Sequence, residues 1–294
     1  MTGRVALVTA RAARGLDEDM PPLTAALAAR GAQSAILDWD DPAADWAAFD
    51  LVVPRSAWDY AERLPEFLAW AERVARLTRL VNPLPVIRWN TDKHYLGELA
   101  RAGAPVVPTA YVEPGENAAA ALAAFLAREA CRELVVKPAV GAGARDARRH
   151  ARAAGAEILA HMAPLLAAGR SLMLQPYLES VDTSGETALM FLEGRFSHAV
   201  RKGALLPAGA PSTAGLFAPE DIVARTPAGD ELAAAQRILG AVPVGGALYA
   251  RVDLLRDAQG APRLLELELT EPSFFLGYAA GAPERFAAAL LAGA

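Results

Sequence analysis

The stretch LYARVDLLRDAQGAPRLLELELTEPS, residues 248–273, is typical of two apolar β-strands joined by a turn. Asp253 lies in the first strand, and Glu266 and Glu268 alternate in the second. Side chains of a strand alternate between its faces, so the two glutamates share one face and a hairpin partner can bring Asp253 beside them. Clustered carboxylates repel unless a cation separates them, and oxygen ligands without His or Cys favour magnesium. We therefore expect Asp253, Glu266 and Glu268 to hold Mg2+.

The same acidic pattern would also suit a solvated strand face. Four leucines in this strand make it too apolar for a freely exposed edge, which favours the metal site. A second hairpin is predicted just upstream in TALMFLEGRFSHAVRK, residues 187–202, around Glu193-Gly194. Residues 203–219 between the hairpins hold several Gly and Pro without periodicity and predict a mobile loop.

The first eighty residues alternate short apolar runs with helical patterns, which predicts a parallel sheet with covering helices. Pro21 and Pro22 suit the first turn of a helix, and Gly31 suits its end. The two prolines in LVNPLPVIRWN, residues 80–90, break the rhythm and indicate a boundary. We predict an α/β protein with α+β lobes. Its expected domains are residues 1–82, 83–176 and 177–294.

A lysine at the end of a predicted strand is the next candidate for chemistry. Lys137 closes LVVKPAV and is followed by a loop in which Gly141 and Gly143 allow close approach of the backbone. An ammonium and free N–H groups so placed suit a phosphate. Alternatively, Lys137 is a solvated lysine before an ordinary turn. No GKS or GKT follows, and Asp146 breaks a G-x-G-x-x-G pattern, so neither a Walker A loop nor a dinucleotide fingerprint is present.

Composition narrows the class of protein. The 294 residues are 53% hydrophobic with a net charge of -5, which allows a large core and gives no attraction for nucleic acid. We expect neither a nucleic-acid nor a membrane partner, because no apolar run reaches the roughly 20 residues that cross a bilayer. The short apolar N-terminus lacks a signal-peptide context, and the single Cys131 fits a reducing compartment. The cytoplasm is the expected location.

The segment LMLQPYLESVD, residues 172–182, is a candidate nucleotide contact. Backbone groups around Gln175, Tyr177 and Leu178 suit an adenine edge, and Glu179 or Asp182 suits a ribose hydroxyl.

The order of these parts resembles the ATP-grasp superfamily, and within it the glutathione-synthetase-like branch. The parts are Lys93 on a predicted helix, Lys137 with its Gly loop, QPYLE, the pair Arg201-Lys202, and Asp253 with Glu-x-Glu. The resemblance implies an ATP-grasp fold with an N-terminal Rossmann-like pre-ATP-grasp domain, and ATP and Mg2+ as cofactors. ELELTEPS departs from the family's Glu-x-Asn segment, because Glu268 stands in place of Asn and adds charge, which puts the number of magnesium ions in doubt.

The resemblance also implies roles for residues. Arg201 and Lys202 would stabilise an acylphosphate and the oxyanion formed when nitrogen attacks it, and loop 203–219 would exclude water. A homodimer is implied as well. The residues expected to bind ATP are Lys93, Lys137, Gly141, Gly143, Gln175, Tyr177, Leu178, Glu179, Asp182 and Glu186.

A narrower resemblance, to the O-ureido-serine cyclo-ligases of cycloserine biosynthesis, rests on several segments: LDEDMPPL, RSAWDY, NPLPVIRWNTDK, FSHAVRKGALL and LELELTEPSFFL. It implies that an amino-acid-like carboxylate closes a ring onto its own nitrogen. Ligands of α/β sheets lie at the carboxyl ends of strands, so RSAWDY supplies candidate substrate contacts, although packing of its aromatic residues is an equal alternative. The substrate candidates are Arg55, Ser56, Trp58, Asp59, Tyr60 and Ser273.

Two alternatives stay open. One is an intermolecular amide or peptide ligase of the same superfamily. The other, from a different class, is a non-catalytic nucleotide-binding or small-molecule-binding protein, against which the carboxylate cluster speaks because mere binding does not require it.

Overall fold

The N-terminal part of the chain folds as a parallel sheet, as its alternating pattern predicts. The computed structural model describes residues 3–206, 216 and 220–292. The first elements are β1 (Arg4–Thr9), α1 (Met20–Ala29), β2 (Gln33–Asp38), β3 (Leu51–Ser56), α2 (Leu64–Leu77) and β4 (Arg79–Leu80). The strands pair in parallel in the order β2-β1-β3-β4. The two prolines lie in the first turn of α1, and Gly31 follows its end in the left-handed conformation at φ 78°.

The central part forms an antiparallel sheet. Its elements are α3 (Leu84–Asn90), α4 (Tyr95–Arg101), β5 (Ala110–Val112), α5 (Ala118–Arg128), β6 (Glu133–Pro138), β7 (Arg148–Ala151), α6 (Gly155–Ala167) and β8 (Leu172–Pro176). The strand order is β5-β8-β6-β7. The prediction that Lys93 lies on a helix is wrong, because α4 begins at Tyr95 and Lys93 occupies the preceding turn. Asp92 Oδ1 accepts from the His94 N–H at 3.1 Å, a local bond that competes with helix.

The C-terminal part is built on a second antiparallel sheet, of order β11-β10-β9-β12-β13. Its elements are α7 (Ser180–Ser184), β9 (Glu186–Leu192), β10 (Arg195–Lys202), β11 (Ile222–Arg225), α8 (Gly229–Gly240), β12 (Tyr249–Arg256), β13 (Pro262–Glu268) and α9 (Ala282–Ala292). Both predicted hairpins are confirmed. Glu193 and Gly194 have φ of 50° and 72°, as a two-residue hairpin turn requires. Residues 207–215 and 217–219 of the expected loop lie outside the described residues.

The first and last sheets share one hydrophobic core, in which α1 packs against α9 and Leu23, Tyr249 and Phe286 are buried together. The central sheet has a core of its own that includes Phe125 and Leu134. None of the helices in the described residues is both long enough and apolar enough to cross a membrane.

The segment predicted as a boundary is tied to the last hairpin. Asn82 Nδ2 donates to the main-chain oxygens of Tyr249 at 2.9 Å and Leu269 at 2.7 Å. The two bonds fix the Asn82 side chain to β12 and to the residue that follows β13. The segment therefore helps to set the geometry of the space between the sheets.

Candidate active site

A cavity of about 500 Å³ lies where the three sheets meet. Most of the residues predicted from the sequence line it. They are Trp58, Tyr60, Lys93, Lys137, Gly141, Gly143, Gln175, Tyr177, Leu178, Glu186, Lys202, Asp253, Glu266, Glu268 and Ser273.

Lys93 links the glycine loop to the last hairpin. Its Nζ donates to the Gly141 main-chain oxygen at 2.6 Å and lies 3.1 Å from Glu266 Oε1. Its own N–H donates to the Ala139 oxygen at 2.9 Å, so the turn that carries Lys93 is fixed to the strand end of Lys137. Burial raises the pKa of Glu266, but Lys93 and Lys137 outweigh it and hold the pKa below its usual value. Glu266 therefore stays ionised.

Lys137, near the end of β6, faces the cavity without a carboxylate within 4.0 Å among the described residues. Burial lowers the pKa of its ammonium, and the more distant Glu266 only partly compensates. Burial keeps water from the Lys137 ammonium, and no described carboxylate lies beside it. A bound anion would therefore stabilise its charged form.

Lys202, at the end of β10, lies among three carboxylates. Its Nζ is 2.8 Å from Glu186 Oε1, 3.4 Å from Glu220 Oε1 and 3.5 Å from Asp253 Oδ2. Burial lowers the pKa of Lys202, but Glu186 and Asp253 outweigh it and raise the pKa above its usual value. Burial raises the pKa of Glu186 to about 8 against the pull of Lys202.

Arg251 is the main residue of this site that the sequence interpretation missed. Its Nε and Nη2 donate to Asp253 at 2.9 and 2.8 Å, and Nη2 also bonds Glu268 Oε1. Arg251 lies opposite Glu268 in the pairing of β12 with β13, and Asp253 lies opposite Glu266. Burial raises the pKa of Asp253, but Arg251 and Lys202 lower it to about 2. The pairing of β12 with β13 thus brings together the carboxylates and the Arg251 guanidinium that lies between Asp253 and Glu268.

The fit of the acidic residues to magnesium differs from the expected three-carboxylate cage. Among the described residues, no group of three or more His, Cys, Asp or Glu side chains is placed to hold a metal ion. Arg251 pairs with both Asp253 and Glu268. Magnesium in nucleotide sites uses one or two carboxylates together with phosphate oxygens. Glu266 and Glu268, both lining the cavity, supply such oxygen ligands, so the donor set fits the ion without a preformed cage.

Glu271, three residues after Glu268, is a second residue that was missed. It is 8% exposed and lines the cavity, and Trp58 Nε1 donates to its main-chain oxygen at 3.4 Å. Burial, followed by the charge of Glu268, raises the pKa of Glu271 to about 8.

The predicted adenine and ribose contacts are only partly brought together. The Tyr177 N–H already donates to the Glu133 oxygen at 2.9 Å, and Gln175 Nε2 donates to Thr109 Oγ1 at 2.9 Å. Asp182 accepts from the Tyr177 hydroxyl and from Arg149, outside the lining of the cavity. Glu179 is exposed and also lies outside the lining, 4.0 Å from Arg132.

Arg201 does not line the cavity, although Lys202 does. Neighbouring residues of a strand point to opposite faces, so the two cannot share one site. Arg201 instead donates to Asp221 at 2.8 Å. Its side chain packs against Gly185, where an added Cβ would lie 2.7 Å from Arg201 Cγ. The expectation that both residues act on the substrate therefore holds geometrically for Lys202 only.

Three of the substrate candidates also lie outside the lining of the cavity. Arg55 is fully buried, with Nη2 3.1 Å from Asp19, and lies over the rings of Phe274 and Phe286. Ser56 Oγ donates to Thr9 Oγ1 at 2.8 Å. Asp59 accepts from Trp39 Nε1 at 2.8 Å.

Asp19 shows what that buried pair does. Beyond Arg55, it accepts from the N–H groups of Phe274, Phe275 and Leu276, with distances of 2.5, 3.1 and 2.6 Å. Arg55 therefore supports the wall of the cavity from behind, through Asp19, instead of contacting a ligand.

Three sheets of this topology around one cavity lined by lysines and carboxylates are the ATP-grasp fold. The chain superposes with a TM-score of 0.66, at 20% identity, on the ATP-grasp ligase PsnB complexed with a phosphomimetic variant of minimal precursor, Mg and ADP, covering 98% of this chain and 97% of that one. It superposes with a TM-score of 0.91, at 43% identity and 98% coverage of both chains, on the crystal structure of D-cycloserine synthetase DcsG.

The sequence comparisons agree with the structural ones. Residues 5–82 match the family described as D-cycloserine synthetase DcsG, N-terminal domain. Over 297 aligned residues, 98% of each protein, the chain is 45% identical to the cycloserine biosynthesis protein DcsG of Streptomyces lavendulae. The chain belongs to the DcsG family of ATP-grasp proteins.

Proposed function

We propose that the protein is an ATP-dependent ligase that activates a substrate carboxylate as an acylphosphate, which a nitrogen of the same molecule then attacks. The reaction we favour is the cyclisation of O-ureido-D-serine to D-cycloserine. The observation that carries the proposal is the cavity of a DcsG relative in which Lys93, Lys137, Lys202 and Arg251 all face one space.

The four cations divide into two groups. Bound ATP with Mg2+ supplies the phosphoryl group that activates the carboxylate. Lys137, which has no ion pair within the part of the chain that the structure describes, binds phosphate oxygens directly, and Lys93 holds the glycine loop against them. Lys202 and Arg251, on the opposite wall, stabilise the charge of the transferring group and of the oxyanion. Arg251 takes the role that the sequence suggested for Arg201. Glu266 and Glu268 would hold the Mg2+.

The balance of the reaction is as follows. The substrate carboxylate takes the γ-phosphoryl group and ADP leaves. The ureido nitrogen bonded to oxygen forms the new C–N bond as phosphate leaves, which closes the five-membered ring. Water then releases the carbamoyl group as carbon dioxide and ammonia. Carboxylate and nucleophile belong to one molecule, so the second step needs no further encounter.

The test is to supply ATP, Mg2+ and O-ureido-D-serine without any amine. We expect ADP together with a cyclic product detected by mass spectrometry. A product formed only after an amine is added would favour the intermolecular amide ligase instead.

A non-catalytic binding protein would behave differently. It would bind ATP without magnesium and release no phosphate with any amino acid of a broad panel. Calorimetry with and without Mg2+, beside a phosphate-release assay, separates this class from both ligases.

A further inference from the structure

Glu271 differs from the other carboxylates of the cavity. Glu18 is exposed. Apart from Glu18 and Glu271, each carboxylate that lines the cavity among the described residues lies within 4.0 Å of a Lys or Arg side chain. These pairs are Asp17 and Asp19 with Arg55, Glu266 with Lys93, Glu268 with Arg251, and Glu186, Glu220 and Asp253 with Lys202. Glu271 is 8% exposed, and within the described residues its side chain has neither an ion pair nor a hydrogen bond.

A buried carboxylate without a partner is costly, and the fold elsewhere in this cavity avoids that cost. The cations near Glu271 are already engaged. Lys93 bonds Glu266 and the Gly141 oxygen, and Arg251 bonds Asp253 and Glu268. A ligand that brings its own positive charge would complete the site.

The residues that share the cavity with Glu271 favour an ammonium as that ligand. Trp58, whose Nε1 donates to the Glu271 main-chain oxygen, and Tyr60 also line the cavity, and aromatic rings attract ammonium groups. Glu271 follows Glu268 by only three residues, so it lies on the same segment as the phosphate end. In an α-amino acid, the ammonium is bonded to the carbon next to the carboxylate, and the two must bind close together.

We propose that Glu271 binds the α-ammonium of an amino-acid substrate and orients its carboxylate towards Lys137 and Arg251. This specificity site rests on the proposed function for the identity of the substrate. It predicts that the enzyme selects against carboxylic acids that lack the amino group.

The test compares two substrates and three forms of the full-length protein. The substrates are O-ureido-D-serine and its desamino analogue, 3-(ureidooxy)propanoic acid. The forms are wild type, Glu271→Gln and Glu18→Gln, and ADP formation gives kcat/KM for each combination. Wild type should prefer the amino acid by about 10- to 100-fold, the range expected for a hydrogen bond to a charged group. In Glu271→Gln that preference should collapse to within about threefold, mainly through KM.

Glu18→Gln is the matched control, because Glu18 is the exposed carboxylate on the same cavity, and it should keep the wild-type preference. The Kd for ADP with Mg2+ should be the same for Glu271→Gln and wild type. A preference that survives in Glu271→Gln, or that is lost in Glu18→Gln instead, overturns the assignment and leaves the proposed function intact. A weakened ADP affinity would place Glu271 at the metal and also overturn it. If wild type turns over neither compound, the proposed function fails and the specificity site falls with it.

Discussion

Lys137 on the central sheet and Lys202 on the C-terminal sheet face the same cavity, yet burial lowers the pKa of Lys137 while three carboxylates raise that of Lys202. The C-terminal wall carries its own counter-charges, so its cations are fixed before any ligand arrives. Lys137 on the central wall has no carboxylate within 4.0 Å among the described residues. One wall is thus preorganised, and under the proposed function the phosphate that binds completes the other.

The largest expected effect is the loss of activity when Lys137 becomes Met. Substrate-dependent ADP formation should fall on the order of 1000-fold, because a buried cation aimed at the phosphates is removed. The free energy of unfolding should not fall, since Lys137 forms no ion pair with any described residue. Turnover measured beside urea unfolding checks both. Wild-type turnover in Lys137→Met would refute its role as the phosphate ligand.

Lys202→Met, unlike Lys137→Met, should lower the stability of the fold. It leaves Glu186 without its buried cation and removes one of the two cations that pair with Asp253, which we expect to lower the free energy of unfolding by about 3 kcal/mol. Lys137→Met is the matched control, being the same substitution on the other wall of the cavity. Equal stability of the two variants would show that the walls do not differ as described.

Acid should lower the free energy of unfolding through a histidine of the central sheet. Burial is the main cause that lowers the pKa of His150 from 6.5 to about 4, and the charges of His161 and Arg148 lower it further. Above pH 6.5, His150 is neutral in both the folded and the unfolded protein. As the pH falls from 6.5 towards 4, His150 becomes protonated in the unfolded protein but stays neutral in the folded protein. The free energy of unfolding should therefore fall over this range. His150→Gln, which cannot titrate, should reduce the dependence in urea unfolding and leave the contribution of His161, whose pKa burial also lowers. An unchanged slope would contradict this account.

The smallest effect is expected for Arg201→Ala. Its guanidinium pairs with Asp221 outside the lining of the cavity, so kcat/KM should change by less than about threefold, as for ordinary surface pairs. Arg251→Ala supplies the contrast, since Arg251 bonds two carboxylates of the site. A loss of activity for Arg201→Ala as large as that for Arg251→Ala would restore the original sequence interpretation.

Local rules predicted the hairpins and the shared face of Glu266 and Glu268, because the turn and period-two alternation are written in adjacent residues. The same rule, applied to Arg201 and Lys202, would have separated them. Arg251 was also within reach: once Asp253 lies opposite Glu266, an antiparallel register puts Arg251 opposite Glu268. These failures came from applying a sound rule to some strands only.

Other features depended on contacts between distant residues. Arg55 is held by Asp19, 36 positions earlier in the chain, and by rings near the C-terminus. No local pattern distinguishes such a structural arginine from one that binds substrate. That none of the described side chains pairs with the Glu271 carboxylate is likewise visible only from the lining of the cavity.

The bonds that Asp19 makes with residues 274–276 have a mechanical consequence. Separation of the first sheet from the last would break the three bonds that the N–H groups of residues 274–276 donate to the buried Asp19, and it would open a shared apolar core. The first and last sheets are therefore joined by buried polar bonds as well as by apolar packing. The central sheet has a core of its own around Phe125 and Leu134, and it packs on the last sheet through Met173 and Leu189.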